Sequence, residues 1–328
     1  MKVIIPMAGF GKRLRPHTFS RPKPLINVAG EPMLKHVLDS LDGVKVDEYI
    51  FIVGYLGDQI EQYVRENYQV KATFVEQKEM IGQAHAIYLT REHLNGPVIV
   101  LFADTLFEAD LGIINTTGAD AVAFVRQVED PRRFGVVELG PDGRVTRFIE
   151  KPSSMENRNV VIGLYYIRDS AHMLRAIEQQ MARKTMTKDE YFIADAFQIM
   201  VDEGAVFHTQ PVTNWLDCGT PGTVLETNRY LLDHGHDNSA QIELSGVMIV
   251  PPVNIHPTAQ IVNSVIGPHT TVAAGCHIEH SIIRDSIIDS GAEVVSSLLG
   301  QSLIGRDAIV AGRYRILNVG DESSVGFA

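Results

Sequence analysis

The stretch VIIPMAGFGKRLRPHTFSRPKP (residues 3–24) joins a short apolar run to a loop rich in glycine, proline and positive charge. Residues 9–24 hold five Lys or Arg and one His, and the first acidic residue of the chain is Glu31. In parallel α/β sheets, ligands bind beyond the carboxyl ends of the strands, and the loop after the first strand is a favoured phosphate site. The stretch therefore predicts an α/β domain with an anion site in this loop.

The whole chain is acidic, which limits the partners of this basic loop. Its 328 residues include 29 Lys or Arg and 40 Asp or Glu, for a net charge of −11. Such a surface repels nucleic acid and anionic lipid, so we expect neither as a partner. We expect instead a small, multiply charged anion.

Composition predicts a soluble protein of two domains. At 45% hydrophobic residues, the chain can bury one large core or two moderate ones. Its two cysteines, Cys218 and Cys276, lie far apart in the sequence, which favours the reducing cytoplasm. The apolar run at the N-terminus ends at Pro6, short of a signal peptide, and no stretch reaches the roughly eighteen apolar residues of a membrane span.

Hydrophobic periodicity extends the α/β prediction through the first half of the chain. Short apolar runs predict buried strands, and three-to-four spacing between them predicts helices. A further helix is predicted over residues 189–200. This alternation indicates a doubly wound, Rossmann-like and largely parallel sheet. The predicted strands are residues 3–6, 49–53, 72–75 and 98–102, and the predicted helices between them are residues 33–41 and 57–67.

The glycines of the loop do not match two common phosphate motifs. A dinucleotide fingerprint needs glycine where this chain has Leu14, and a Walker A loop needs Ser or Thr where it has Arg13. Neither a dehydrogenase nor a P-loop NTPase is therefore expected.

The loop instead resembles the signature of the sugar-1-phosphate nucleotidylyltransferases, in MAGFGKRLRPHT (7–18) and RPKP (21–24). The resemblance covers about residues 1–234 and is closest to glucose-1-phosphate thymidylyltransferases. The chain departs from the family pattern at Ala8, Lys12 and Ala103. Further matches follow in family order: EQKEMIGQAHA (76–86), FADTLF (102–107), FGVVE (134–138), IEKP (149–152), VIGLYY (161–166) and WLDCGTP (215–221).

The resemblance implies transfer of a nucleotidyl group from a nucleoside triphosphate to a hexose-1-phosphate, with release of pyrophosphate. Gln77 offers a donor and an acceptor to a pyrimidine imide edge, which dTTP and UTP both present. The resemblance favours dTTP first and UTP next as the donor, with glucose-1-phosphate as the acceptor. Cations and backbone N–H groups are needed because the reaction joins two polyanions. By position, the implied site residues are Arg13, Lys23 and Lys151 as catalytic cations; Ala8, Gly9, Gly11, Lys12, Gln77 and Gly82 for the nucleotide; Gly135, Glu150, Lys151, Gly163 and Tyr165 for the sugar phosphate; and Asp104 and Asp217 for Mg²⁺.

The last part of the chain has a different repeat. Ile255 and Ile261, then Ile266, Val272 and Ile278, recur at six residues, and steps of five follow. This spacing is typical of a left-handed parallel β-helix and resembles the hexapeptide-repeat tail of longer nucleotidylyltransferases. We expect a catalytic domain over residues 1–235 and a β-helix over residues 236–328. A short β-helix leaves coils to be covered, which predicts a homo-oligomer.

Two other functions remain open from the sequence. Hexapeptide coils also occur in acyltransferases, and the histidines at 256, 269, 277 and 280 allow an acyl-CoA site in the tail. A non-catalytic sensor of nucleotide sugars is the second alternative. It is disfavoured because a sensor could dispense with the charged residues at positions 13, 23, 104, 151 and 217, all of which are present.

Overall fold

The computed structural model describes residues 1–312, and within them the chain forms two compact units. The first unit comprises Met1–Ile26 and Glu31–Val224, and the second comprises Asn27–Gly30 and the chain from Leu225 onward. The division falls inside a helix, eleven residues before the end of the predicted catalytic domain. The boundary at residues 235/236 remains a prediction.

The first unit is built on a nine-stranded sheet. Its strands are short, apolar and mostly buried, as the runs in the sequence predict. Strand β6, for example, is fully buried along its length. The nine strands of this sheet are β1, β4, β5, β6 and β8 to β12. In chain order, all strands from β1 to β13 are Lys2–Pro6, Asn27–Val28, Glu31–Pro32, Glu48–Val53, Ala72–Glu76, Val98–Leu101, Thr105–Glu108, Ala121–Gln127, Gly135–Leu139, Val145–Glu150, Asn159–Ile167, Phe207–Pro211 and Asn214–Asp217.

The sheet is mixed, which corrects the expectation of a largely parallel one. Strands β6, β1, β4 and β5 are parallel neighbours, as predicted. Strand β11 then pairs antiparallel with β6 and with β8, and β9 pairs antiparallel with β10. Hairpin-like returns within residues 121–167 allow this, because antiparallel strands need only short connections. The parallel half brings the carboxyl ends of β1, β4, β5 and β6 to one edge.

Helices cover the sheet and pack their apolar sides on it. Helix α2 has Ile60 and Val64 buried on one side, as its spacing predicts. The predicted helix over residues 189–200 is wrong at its start, because α6 begins at Ile193. The preceding Tyr191 instead pairs its backbone with Ile81 and Ala84. Helices α1 to α7 are Met33–Asp39, Gly57–Asn67, Gln83–Tyr88, Ile113–Thr116, Ser170–Arg183, Ile193–Asp202 and Pro221–Leu231.

The second unit contains the predicted left-handed β-helix. One inward column runs Ile249, Ile266, Ile283 and Leu299 in direct register, so a coil takes 17 or 16 residues. Apolar side chains stack in the interior and make the core of this unit. Strands β14 to β25 are Met248–Ile249, Val253–Ile255, Gln260–Val262, Val265–Ile266, Thr270–Val272, His277–Glu279, Ile282–Arg284, Ile287–Ile288, Glu293–Val295, Leu298–Gly300, Leu303–Ile304 and Ile309–Ala311.

Helix α7 anchors the short segment of residues 27–30 within the second unit. The side-chain oxygen of Asn228 accepts hydrogen bonds from the Ala29 N–H at 2.8 Å and from the Thr271 hydroxyl at 2.7 Å. Asn228 is buried, so these bonds satisfy an oxygen that would otherwise be costly to bury. Across residues 1–312, no helix has both the length and the apolar character needed to cross a bilayer.

Candidate active site

A cleft of about 610 Å³ opens in the first unit beside the carboxyl ends of β1, β5 and β6. All fifteen residues that the sequence singled out line this one cleft. They come from segments as far apart as residues 8 and 217, so the fold rather than local sequence assembles them. Their individual roles remain predictions, and the geometry of each part is described below.

The loop after β1 forms one wall of the cleft. Gly11 has a φ of +59°, and a Cβ there would lie 2.9 Å from a methyl carbon of Thr18. The Thr18 hydroxyl in turn donates to the Gly11 carbonyl at 2.9 Å. Gly11 is thus required by the turn itself. At Gly9, by contrast, nothing lies within 4 Å of the place a Cβ would occupy, so this glycine faces open space.

Lys23 and Asp104 form an ion pair in the cleft, with 2.5 Å between Nζ and Oδ2. Lys23 is mostly buried and the Asp104 side chain is a third exposed. Burial alone would raise the pKa of Asp104, but the charges of Lys23 and Arg13 lower it below its usual value. Asp217 shows the opposite shift, because burial and the neighbouring Asp104 raise its pKa.

Asp217 and Arg13 approach each other around Gly219. A Cβ on Gly219 would lie 3.0 Å from both carboxylate oxygens of Asp217 and 3.1 Å from Nη2 of Arg13. Asp217 ends β13, which pairs antiparallel with β7, and Asp217 stands opposite Thr105. Asp104, one residue before Thr105, is therefore held close to Asp217 by the register of these two strands.

The two aspartates fit a magnesium ion rather than a metal held by protein alone. Within residues 1–312 there is no group of three or more His, Cys, Asp or Glu side chains able to hold a metal. Mg²⁺ usually binds one or two carboxylates and fills its other positions with water and substrate phosphate oxygens. A pair of carboxylates in a cleft lined with cations matches that donor set.

Gln77 and Gly82 are joined in the structure. The Gln77 amide donates to the Gly82 carbonyl at 3.2 Å, which leaves its Oε1 and its second N–H for other partners. Gly82 has a φ of +124°, and a Cβ there would lie 2.4 Å from the backbone of Tyr191. Gly82 is thus required by its packing against Tyr191, and its own carbonyl is the hydrogen-bond acceptor of Gln77.

Glu150 and Lys151 line the cleft at the carboxyl end of β10. Lys151 has a left-handed backbone with a φ of 48°, which is costly for a lysine and typical of functional sites. Its Nζ lies 3.5 Å from Glu150 Oε1 and 3.9 Å from the ring centre of Phe192. Burial raises the pKa of Glu150, and the charge of Lys151 offsets part of the increase. A Cβ on Gly135 would lie 3.0 Å from Glu150 Oε2, so the glycine makes room for this carboxylate.

Gly163 and Tyr165 belong to β11, beside these residues. Gly163 has a φ of +87°, and a Cβ there would lie 2.7 Å from the Phe102 ring. Its carbonyl accepts the Phe102 N–H at 2.9 Å, which fixes the chain just before Asp104. Tyr165 is buried at the edge of the cleft, with its ring 4.8 Å from that of Phe197. Tyr165 therefore belongs mainly to the core.

Sequence reasoning missed the cation at Arg133 and three aromatic side chains of the cleft wall. Arg133, Phe134, Phe192 and Trp215 all line the cleft. The rings of Phe134 and Trp215 meet edge to face at 4.9 Å. The available signal was position, because Arg133 directly precedes the FGVVE segment.

Comparisons with known proteins show the family of this chain. The family model described as nucleotidyl transferase matches residues 2–234. The chain is 33% identical over 233 residues to the bifunctional protein GlmU of Methanocaldococcus jannaschii, a match that covers 71% of this chain and 55% of that protein. The chain thus spans about half the length of such bifunctional relatives.

Other relatives match over nearly the whole chain. Mannose-1-phosphate guanylyltransferase 1 of Arabidopsis thaliana is 30% identical, over 93% of this chain and 88% of its own length. Glucose-1-phosphate thymidylyltransferase of Streptomyces griseus is 26% identical, over 93% and 92%. A solved UDP-glucose pyrophosphorylase in complex with UDP-glucose shares the fold, with a TM-score of 0.62 at 20% identity, over 71% of this chain and 98% of that one. The chain belongs to the nucleotidyl transferase family, and its relatives are sugar-1-phosphate nucleotidylyltransferases.

Proposed function

We propose that the protein transfers a nucleotidyl group to a hexose-1-phosphate, with dTTP and glucose-1-phosphate as the preferred pair and UTP as the next donor. The observation that carries the proposal is the cleft itself, which brings several cations, the carboxylates of Asp104 and Asp217, and Glu150 into one space. An oxygen of the sugar phosphate attacks the α-phosphorus in line. The new P–O bond forms as the bond to the β-phosphate oxygen breaks, and pyrophosphate leaves.

The first requirement is to bring two polyanions together, and the cleft's own cations serve it. Lys23, held by Asp104, would meet the α-phosphate, and Arg13 would meet the β- and γ-phosphates. The open space at Gly9 would let backbone N–H groups reach phosphate oxygens. No strong general base is needed, because a phosphate monoester with a second pKa near ~6 is already anionic at neutral pH.

Asp104 and Asp217 are the residues that would hold Mg²⁺. When bound there, the ion supplies charge neutralisation to the reacting phosphates. Because the Lys23 ion pair already orients Asp104, and the strand register holds Asp217 beside it, the carboxylates are in place before the substrates arrive.

The sugar is proposed to lie near Glu150, Gly135 and Gly163, with its phosphate toward Lys151. Glu150 would accept hydrogen bonds from sugar hydroxyls, and Lys151, beside it, would neutralise the phosphate. At the nucleotide end, Oε1 of Gln77 would accept the imide N–H of a pyrimidine, and the second amide N–H of Gln77 would meet a base carbonyl.

The tail is proposed to support a homo-oligomer. Met248, Val265, Ile282 and Leu298 stand in register on one outer side of the β-helix, and three of them are exposed by 49–80%. A contiguous apolar row of this kind marks a surface that other protein covers. We also propose a cytoplasmic location, supported by two buried cysteines that are not joined in a disulfide.

The experiment is a substrate matrix read by pyrophosphate release. Glucose-, mannose-, galactose- and N-acetylglucosamine-1-phosphate are each combined with dTTP, UTP, GTP, CTP and ATP in the presence of Mg²⁺. The proposal expects the highest kcat/KM for glucose-1-phosphate with dTTP. Pyrophosphate release with GTP alone would show that the base is guanine and not a pyrimidine. No pyrophosphate release from any pair would refute the proposed reaction. Acetyl-CoA with glucosamine-1-phosphate tests acyl transfer in the same preparations.

A further inference from the structure

The loop after β1, residues 9–24, is held from outside by the segment that follows β4. The Tyr55 hydroxyl donates to the Phe19 carbonyl at 2.6 Å. The Gln59 side-chain amide donates to the Ser20 carbonyl at 3.0 Å. Phe19 and Ser20 are adjacent and exposed, so two side chains from one segment hold the outer turn of the loop. We call these two hydrogen bonds the Tyr55–Gln59 brace.

Tyr55 supports the loop at a second point. Its ring centre lies 5.5 Å from that of Phe10, which stands between the two glycines of the loop. Gly54, the residue before Tyr55, packs on the chain just before the loop, because a Cβ there would lie 2.7 Å from the Ala8 carbonyl oxygen. The segment after β4 therefore follows the loop from its start to its outer turn.

The backbone between the two donors is strained. Leu56 precedes helix α2 and has a φ of 57°. This left-handed conformation is costly for a leucine, and such residues concentrate at functional sites. The turn at Leu56 starts the helix next to Tyr55, so that donors four positions apart reach adjacent carbonyls of the loop.

The loop needs such support because of its charge. Residues 9–24 contain five Lys or Arg and no acid, so the charges of the loop repel one another. Arg13 and Lys23 line the cleft from either side of the outer turn. Lys23 is also held by its ion pair with Asp104, whereas the backbone of Arg13 takes its position from the loop. A fixed outer turn therefore keeps the two cations in a constant arrangement.

We propose that Tyr55 and Gln59 are positioning residues for the nucleoside triphosphate. Within residues 1–312, neither side chain lines the cleft, so both act through the loop and not on the substrate. The inference rests on the proposed function and adds to it two residues that hold the triphosphate loop in its binding shape. A loop that is fixed before the substrate arrives loses less conformational freedom on binding, which strengthens binding. The sugar phosphate, proposed to lie near Glu150 and Lys151, should not depend on the brace.

The test removes each hydrogen bond in the full-length chain. Tyr55→Phe loses the hydroxyl and keeps the ring, Tyr55→Ala loses both, and Gln59→Ala loses the second donor. Calorimetry measures binding of dTTP and, separately, of glucose-1-phosphate, and pyrophosphate release gives the two KM values. Gln62→Ala and Tyr63→Phe are the matched controls on the same helix, where Gln62 donates to Glu66 at 2.8 Å and not to the loop.

The brace predicts a split between the two substrates. Tyr55→Phe and Gln59→Ala should each weaken dTTP binding and raise its KM by about two- to tenfold, as for one lost hydrogen bond, and Tyr55→Ala should lose more. Glucose-1-phosphate binding and its KM should stay at wild-type values, which a general loss of stability would not produce. Melting temperatures should stay close to wild type, because both hydrogen bonds are exposed.

Chymotrypsin gives a second readout that does not depend on the reaction. This protease cleaves after aromatic residues, and Phe19 is 56% exposed, so cleavage after Phe19 reports how often the outer turn opens. Tyr55→Phe and Gln59→Ala should speed this cleavage, measured by the mass of the fragment that ends at Phe19, and dTTP should slow it. Both control variants should match wild type in cleavage and in binding.

Four results would overturn the inference: unchanged dTTP binding in Tyr55→Phe and Gln59→Ala, an equal loss for the two substrates, an equal loss in the controls, or unchanged cleavage after Phe19. Faster cleavage with unchanged dTTP binding belongs to the first case, because the brace would then hold the loop without serving the triphosphate. The proposed function fails separately. If dTTP binding depends on Tyr55 and Gln59 but no triphosphate yields pyrophosphate, the reaction is wrong and the brace stands.

Discussion

Replacing Gly9 with alanine separates the folding of the phosphate loop from its proposed role in catalysis. Nothing lies within 4 Å of the position of the new Cβ, and the backbone at Gly9 is not left-handed. The methyl group therefore meets no protein atom. Gly→Ala at such a site restricts the unfolded chain and stabilises the fold by about 0.4–1 kcal/mol. We expect an unchanged or slightly raised melting temperature.

Turnover should change in the opposite direction. If triphosphate oxygens lie against the backbone of residues 9–11, the methyl group occupies space that they need. Loss of one hydrogen bond to a charged group costs about 1.5–3 kcal/mol, which corresponds to roughly a ten- to 150-fold decrease in kcat/KM for the triphosphate. The KM for the sugar phosphate should change little, because Lys151 and Glu150 belong to a different part of the cleft wall, at the end of β10.

The assay is steady-state pyrophosphate release with each substrate varied in turn, together with thermal unfolding of the same samples. Gly118→Ala is the matched control, because Gly118 is also free of neighbours within 4 Å and lies outside the cleft. The control should equal wild type in rate and, like Gly9→Ala, should show an unchanged or slightly raised melting temperature. Wild-type kinetics in Gly9→Ala would show that no phosphate lies against this glycine, and the proposed triphosphate position would be wrong.

Three further predictions concern the carboxylates, the sugar wall and the tail. In Mg²⁺-free buffer, Asp104→Asn should lower the melting temperature by roughly 2–8 °C, because Lys23 loses an ion pair worth about 1–2 kcal/mol, whereas Asp217→Asn should not lower it. Both variants should lose the turnover that Mg²⁺ activates. If either variant keeps the wild-type Mg²⁺ titration, its carboxylate does not belong to the metal site. Gly163→Ala should lower the free energy of unfolding, measured by urea titration, by about 2–4 kcal/mol, because of the positive φ at Gly163 and the 2.7 Å contact of the new Cβ with the Phe102 ring. An unchanged urea midpoint would contradict the packing described for Gly163. Leu298→Lys should reduce the oligomer measured by light scattering while kcat stays at the wild-type value; an unchanged mass would exclude this row as the interface.

The spacing of apolar residues predicted helices and strands well where that spacing alone determines which side chains are buried. The three-to-four spacing within residues 57–67 matches helix α2 from end to end, and the apolar period of the tail matches the columns inside the β-helix. The candidate site residues were found by motif, and the fold brings them to one cleft. A motif carries this information because one loop shape requires particular residues, such as Gly11 packed on Thr18.

Contacts between distant segments explain what the sequence did not reveal. Residues 189–192 have a helical pattern, yet Tyr191 pairs its backbone with the loop around Gly82, which prevents an earlier helix start. Strand direction in β11 is likewise set by its neighbours in the sheet and not by its own apolar run. For Arg132 and Arg133, charge alone does not tell which arginine pairs with the surface carboxylate of Asp130 and which one lines the cleft, and only the folded chain separates them.

The most direct test of the central claim follows the α-phosphate through the reaction. The protein is incubated with Mg²⁺, glucose-1-phosphate and dTTP that carries a label on its α-phosphate, and the products are separated and identified by mass. The account predicts that the label appears in a nucleotide diphosphosugar and that one unlabelled pyrophosphate is released for each label transferred. Label that remains in dTTP although both substrates bind, or that appears only as the nucleoside monophosphate, would contradict it.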